Sequence, residues 1–287
     1  MANVRQLRRR IRSVQNTAKV TRAMQMIAAS KMRRAQDRVA MARPYANKIR
    51  DMIAGVAASI TQGEDVHPLL EKRTISKRLI VHITPDRGLA GGLPSNANRV
   101  AAQFLKEEDI PTQFITVGKK GRDLVEKSRV EILSDYSGIS DKPTLAECTP
   151  IIHQVEQLYT NMEVDRVDVI FTKFINTLQQ DAVVEQLLPI DIDSLVVTDE
   201  VRDISFEPNS GEVLNALLPR FLESQLYQSI LEAQASEQSA RMVAMRNATV
   251  AADEMIDTLT LEMNKVRQEG ITNELLDLVG GVAALEG

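Results

Sequence analysis

Residues 4–60 read VRQLRRRIRSVQNTAKVTRAMQMIAASKMRRAQDRVAMARPYANKIRDMIAGVAASI, and this stretch decides the architecture. Positions taken alternately three and four apart from Val4 are Leu7, Ile11, Val14, Ala18, Thr21, Gln25, Ala28, Met32, Ala35, Val39, Ala42, Ala46, Ile49, Ile53, Val56 and Ile60. Only Thr21 and Gln25 in that series are polar. An unbroken heptad stripe predicts a single helix roughly 85 Å long. Pro44 interrupts it, but the stripe keeps its phase, so a kink is expected there and not an end. Thr61-Gln62-Gly63-Glu64-Asp65 reads as the end and a loop. A helix this long needs something to lie along it, and the other end of the chain is the natural candidate.

That other end has the same character. An acidic connector, Asp191 to Ser210, leads into a stretch from Glu212 to Leu285 whose one breaker before Gly270 is Pro219. Apolar residues recur at Leu214, Leu218, Leu222, Leu226, Ile230, Ala233, Ala240, Ala244, Ala248, Ala252, Met255, Leu259, Met263 and Val266. Their spacing drifts between three and four. A second long helix of ~75 residues is expected, and the two can bury their stripes against each other or a partner. Charge agrees with pairing. Residues 1–50 carry fourteen Lys or Arg and one acid, whereas residues 209–287 carry twelve Asp or Glu and five Lys or Arg. Such complementarity steers two helices together more than it stabilises them, because exposed ion pairs are each worth ~0–1 kcal/mol.

Between the helices, strand and helix signals alternate. Arg78 to Thr84, Gln113 to Val117 and Val130 to Leu133 are β-rich, and Val167 to Phe174 can pair with Val183 to Ile190 as a hairpin across Asn176. A helix follows the glycine-rich Asp86 to Asn96 and runs through Lys106. A second, short one lies within Gly118 to Lys127. Thr144-Leu145-Ala146-Glu147 is a capping box opening a third, through Tyr159. This alternation predicts a small α/β sheet, mostly parallel with an antiparallel edge. The expected fold class is therefore α/β with long terminal helices. An antiparallel two-helix coiled coil carries an inserted, small Rossmann-like domain, with parts at 1–62, 75–195 and 209–287.

The chemistry available is sparse. With 44% hydrophobic residues, 3% aromatics and no Trp, the chain suits thin helical layers better than a deep pocket. Cys148 is the single cysteine, which excludes an internal disulfide and a Cys-rich zinc site. It reads as a small buried side chain in a reducing compartment. His67, His82 and His153 lack accompanying ligands at metal spacing and read as surface or satisfied histidines. Gly88-Leu89-Ala90-Gly91-Gly92 stands where phosphate loops stand, between a strand and a helix, but is neither GxGxxG nor a Walker A sequence. A tight turn is its first reading, with a partner-contact surface or a nucleotide site behind it. Gly118-Lys119-Lys120-Gly121-Arg122 has the look of a phosphate clamp and also of any strand-to-helix turn with solvated lysines. No catalytic arrangement, cofactor site or metal site is expected. The arginine-rich Arg5 to Arg34 lacks aromatic platforms for nucleic acid, and a stripe that runs on to Ile60 argues against a cleaved presequence. Met24, Met26 and Met32, with Ala23, Ala28, Ala29 and Ser30, form a small, smooth helix surface of the kind found in a thin coiled coil. No apolar run approaches the ~20 residues of a membrane span.

Several segments resemble one family. Arg9-Arg10-Ile11-Arg12-Ser13-Val14 through Thr17, Ile27-Ala28-Ala29-Ser30-Lys31-Met32 and Asp86-Arg87-Gly88-Leu89-Ala90-Gly91-Gly92-Leu93 are similar to the gamma subunits of F-type ATP synthase. The strongest likeness is Ser239-Ala240-Arg241-Met242-Val243-Ala244-Met245-Arg246-Asn247-Ala248-Thr249. It continues through Asn264-Lys265-Val266-Arg267-Gln268 and Ile271-Thr272-Asn273-Glu274 to Gly280-Gly281-Val282-Ala283-Ala284-Leu285.

The resemblance implies a central shaft inside a ring of three alpha and three beta subunits. Epsilon and the membrane-embedded ring of c subunits would lie at the globular end. Proton-driven rotation would cycle the beta sites, and the nucleotide chemistry would belong to beta. It also implies partner contacts at Arg267 and Gln268, toward an acidic loop of beta, and at Arg87, Met24 and Arg241. Ala90 stands where the family often has Cys, and the cysteine-bearing insertion of chloroplast forms is missing. With Met1 as an apparent initiator, the expectation is a peripheral complex on the cytoplasmic face of a bacterial plasma membrane. The competing reading from the residues alone is a coiled-coil scaffold with a non-catalytic α/β domain.

Overall fold

The computed structural model describes residues 4–59, 67–107, 110–192, 207 and 209–286. Ile60, the loop at 61–65 and most of the acidic connector lie outside the described residues. Helix α1, Val4–Ser59, and helix α5, Ser210–Glu286, bracket five strands and three shorter helices. These are β1 Arg78–Ile83, α2 Leu93–Glu107, β2 Thr112–Val117, α3 Lys119–Ser128, β3 Glu131–Tyr136, α4 Leu145–Thr160, β4 Arg166–Phe174 and β5 Gln180–Leu188. The described chain forms two compact units, Met1–Ile27 with Met242–Gly287, and Ala28–Arg241. Both long helices run through both units.

In the first unit the helices pair antiparallel. Thr21 and Thr249 share a buried hydrogen bond of 2.7 Å, and Arg22 meets Asp253 at 2.9 Å. The one polar break in the first helix that is fully buried is thus matched by a hydroxyl opposite. The Thr249 hydroxyl also reaches the Met245 carbonyl, so neither group goes without a partner.

The second unit holds the sheet, ordered β3-β2-β1-β4-β5. Pairing is parallel except between β4 and β5. Side chains alternate across it as a strand requires. Ile80, Phe114 and Ile170 face α2 and α3 with Ala101 and Val125. Leu79, Val81, Ile83, Ile115, Val117, Val167, Val169 and Phe171 face the opposite way. There they join Ile151 and Val155 of α4, Ile49, Ile53 and Val56 of α1, and Leu214, Leu218, Leu222 and Leu226 of α5. The long helices therefore close one face of the sheet and share its core. Further along, Ala35 and Val39 pack on Leu231 and Ala235, where small side chains let the helices approach closely.

Every described position of the α1 stripe is buried or half-buried, and the helix runs through Pro44. The α5 reading needs one correction. Met255 is 53% exposed, and Ile256 is half-buried in its place. The drifting spacing hid a one-residue shift, because a helix of 3.6 residues per turn slides against a fixed heptad grid. The lengths, 56 residues in α1 and 77 in α5, agree with the reading from the sequence. β3 extends beyond Leu133 to Tyr136, and a bulge at Leu133 shifts its register along β2. The capping box forms fully: the Thr144 side chain accepts from the Glu147 amide and the Glu147 carboxylate accepts from the Thr144 amide.

Candidate functional site

In a doubly wound sheet the ligand crevice lies beyond the carboxyl ends of the strands, where the strand order reverses. Here that point is beside β1, and α5 occupies it. Gln234 and Glu237 project over the strand ends, leaving a cavity of about 60 Å³ against Thr84, Asp86, Gly118 and Tyr136. Small-molecule sites run to roughly 300–1,000 Å³. Burial holds the Glu237 carboxyl above its usual range, against the pull of Arg241.

The two glycine-bearing turns border this place, and their polar groups are used inside the chain. The Asp86 carboxylate accepts from the Lys119 amide at 3.1 Å and the Gly138 amide at 2.8 Å. The Lys120 amide donates to the Pro85 carbonyl, and the Gly121 amide to the Thr84 hydroxyl at 2.7 Å. The first donors of α3, which a phosphate would need, are therefore engaged. The glycines serve close packing. A Cβ on Gly118, at φ 98°, would lie 1.9 Å from the Thr84 carbonyl oxygen, and one on Gly121 would lie 2.6 Å from His82 Cδ2. The supposed clamp is a tight strand-to-helix seam.

The loop at Asp86–Gly92 is a turn with an exposed tip. Leu89 has φ 64° and is 60% exposed, Arg87 is exposed, and Ala90 is buried beneath them. Arg241 holds this loop from α5. Its guanidinium bonds the Glu237 carboxylate at 2.6 Å and reaches the Gly88 carbonyl at 3.4 Å. Arg241 is thus engaged within the chain. The Glu237 pairing is the i,i+4 spacing of one helix face, but nothing in the sequence pointed to the Gly88 carbonyl, 153 residues away.

In the other unit Arg267 and Gln268 are exposed and Met24 is half-buried. Among the described residues Arg267 makes no ion pair with Glu262 or Glu274. Met24 and the Arg267–Gln268 pair belong to one unit, Arg87 and Arg241 to the other. The remaining titratable candidates are structural. His82 is fully buried, bonds Asn98 at 2.9 Å, and has its pKa lowered by burial. His67 accepts from the Leu69 amide at a short 3₁₀ turn, Pro68–Leu70. Burial pushes the Cys148 thiol up to about 12, with Glu147 adding to it. His153 lies beside Glu156 at 3.8 Å on an exposed face.

The ATP synthase family profile matches residues 3–285. A gamma chain of ATP synthase from Dehalococcoides mccartyi strain CBDB1 is 50% identical over 285 residues, covering 99% of this chain and all of that one. The chain belongs to the ATP synthase gamma-chain family. The gamma chain of Moorella thermoacetica is 42% identical over 286 residues, and the whole of both chains is covered. Two solved structures share the fold. A chain of the Tetrahymena thermophila mitochondrial ATP synthase central stalk and c-ring aligns at a TM-score of 0.61 with 25% identity, covering 80% of this chain and 99% of that one. A chain of the Euglena gracilis mitochondrial ATP synthase aligns at 0.69 with 17% identity, covering 98% and 94%. As a family member the chain is the central rotor shaft of an F-type ATP synthase, and its work is mechanical.

Proposed function

We propose that this gamma-family shaft turns inside a ring of three alpha and three beta subunits, with epsilon and the c-subunit ring at its sheet-bearing part. There it would convert proton-driven rotation into conformational cycling of the beta sites. One observation carries the reading. From Arg267 to Val282 every residue of α5 is exposed, although Ile271, Leu275, Leu276, Leu278, Val279 and Val282 are 51–67% exposed apolar side chains. A run of exposed apolar side chains on a helix is ordinarily covered by a partner. α1 supplies no cover there, so a surrounding sleeve of other subunits fits.

Within that frame Arg267 and Gln268 are the force-bearing contact with an acidic loop of beta. The Arg fork makes bidentate, charge-assisted bonds and Gln adds a neutral donor and acceptor. Met24 contributes a smooth apolar surface on the same unit. Arg87, at a strained and exposed loop tip, makes a second contact, and Arg241 acts by bracing that loop. The functional division is 1–62, 75–195 and 209–287. No helix among the described residues is long and apolar enough to cross a membrane. A peripheral position on the cytoplasmic face of a bacterial plasma membrane, reached through the c ring, fits the reading.

The test is reconstitution with alpha and beta subunits and an assay of ATP hydrolysis. Hydrolysis that requires this chain, with rotation of a probe fixed to it, supports the proposal. A stable complex whose hydrolysis is indifferent to the chain sinks it.

A further inference from the structure

We propose that the segment Ser137 to Thr144, between β3 and α4, is a torque key: it locks the sheet against rotation around the paired helices of its unit. The inference rests on the shaft reading. The segment belongs to neither helix nor strand, yet both long helices hold it by residues one heptad apart. From α1, Lys31 pairs with the Asp141 carboxylate and Arg38 donates to the Asp141 carbonyl at 3.0 Å. From α5, Gln234 donates to the Ser140 carbonyl at 2.9 Å and Tyr227 to the Pro143 carbonyl at 3.1 Å.

A seven-residue step returns a helix to nearly the same face. Two residues on one face of α1 therefore converge on Asp141, while two on one face of α5 hold the segment at Ser140 and Pro143. It is also fixed to the sheet. The Gly138 amide donates to Asp86 at 2.8 Å, Ile139 packs on the main core and Pro143 is buried. Apolar contact between a helix and a sheet is non-directional. Directional bonds on both sides of a wedge resist sliding. Exposed pairs such as Lys31–Asp141 add little to folding stability, so stiffness is the property these ties supply.

The experiment uses the alpha–beta–gamma complex with the ring fixed to a surface and a probe on Lys127→Cys, an exposed site on α3. The one native cysteine is buried and does not compete for the label. With rotation stalled, the angular spread of the probe reads the torsional stiffness. Lys31→Ala with Arg38→Ala should broaden the spread while leaving the melting temperature near that of the unsubstituted complex. Exchanging the charges, Lys31→Asp with Asp141→Lys, should restore stiffness. An unchanged spread in the double alanine variant overturns the key. So does a broadening that tracks a lowered melting temperature and is not restored by the exchange. If the unsubstituted complex does not rotate, the shaft reading fails instead.

Discussion

Gly121 shows how little room the sheet-bearing unit leaves at its working end. Its absent side chain lets His82 and Thr84 close on α3, and a Cβ there would sit 2.9 Å from the Thr84 hydroxyl. Gly121→Ala should therefore destabilise by ~1–3 kcal/mol through overpacking, read as a lowered denaturation midpoint. His82 brings a pH dependence. Its folded-state pKa lies below the ordinary 6.5, so below pH 6.5 the unfolded chain holds more protons. Its contribution is full above 6.5 and is lost as pH falls toward the folded-state value. His67 shifts the same way. Thermal unfolding measured on either side of pH 6.5 should show the loss, and His82→Gln should blunt it. At Arg267 and Gln268 the expected outcome concerns function. Replacing both with Ala should lower ATP hydrolysis and ATP-driven proton pumping well below wild type while the complex still assembles. Normal rates for both would show that torque passes through the bulk of the coil.

Among the elements, α1 carries the clearest test of pairing. Ile53 is fully buried and Ile49 nearly so, in the core that α1 shares with the sheet, α4 and α5. Ile49→Asp and Ile53→Asp should each cost several kcal/mol by burying an unpaired charge. Unchanged melting and assembly of the pair of variants would show that α1 is not packed there. The far end of α5 should behave in the opposite way. Truncation after Val266 removes a stretch that is exposed throughout its described side chains, so the isolated chain should keep its melting temperature. The reconstituted complex should lose coupled activity. A marked drop in the melting temperature of the isolated chain would mean that this end packs on the rest of the chain. The element boundaries also show where local signals suffice. The Thr144–Glu147 box formed as read because both its bonds close within three residues. The α5 stripe slipped at Met255 because no local bond sets a helix's phase against its neighbour.

Taken as a whole molecule, the chain announces its architecture before it folds. A stripe of period 3.5 is a one-dimensional signal, and so is the alternation of β-rich and helical runs. Long terminal helices, an inserted α/β sheet and an antiparallel hairpin edge were all legible in residue order. The absence of a recognised nucleotide fingerprint was legible too, as was the likeness to gamma subunits at Arg241 and Arg267. What closes the crevice was not. Gln234 and Glu237 reach the strand ends from a helix that begins at Ser210, and Arg241 binds a carbonyl in a loop 153 positions earlier. The ties of Lys31 and Arg38 to Asp141 span more than a hundred residues. Sequence by itself determined which face of α1 must be buried, because there burial follows from local periodicity. Tertiary structure alone decided which polar groups meet across distant segments, because a hydrogen bond depends on ångström distances of which separation along the chain carries no trace.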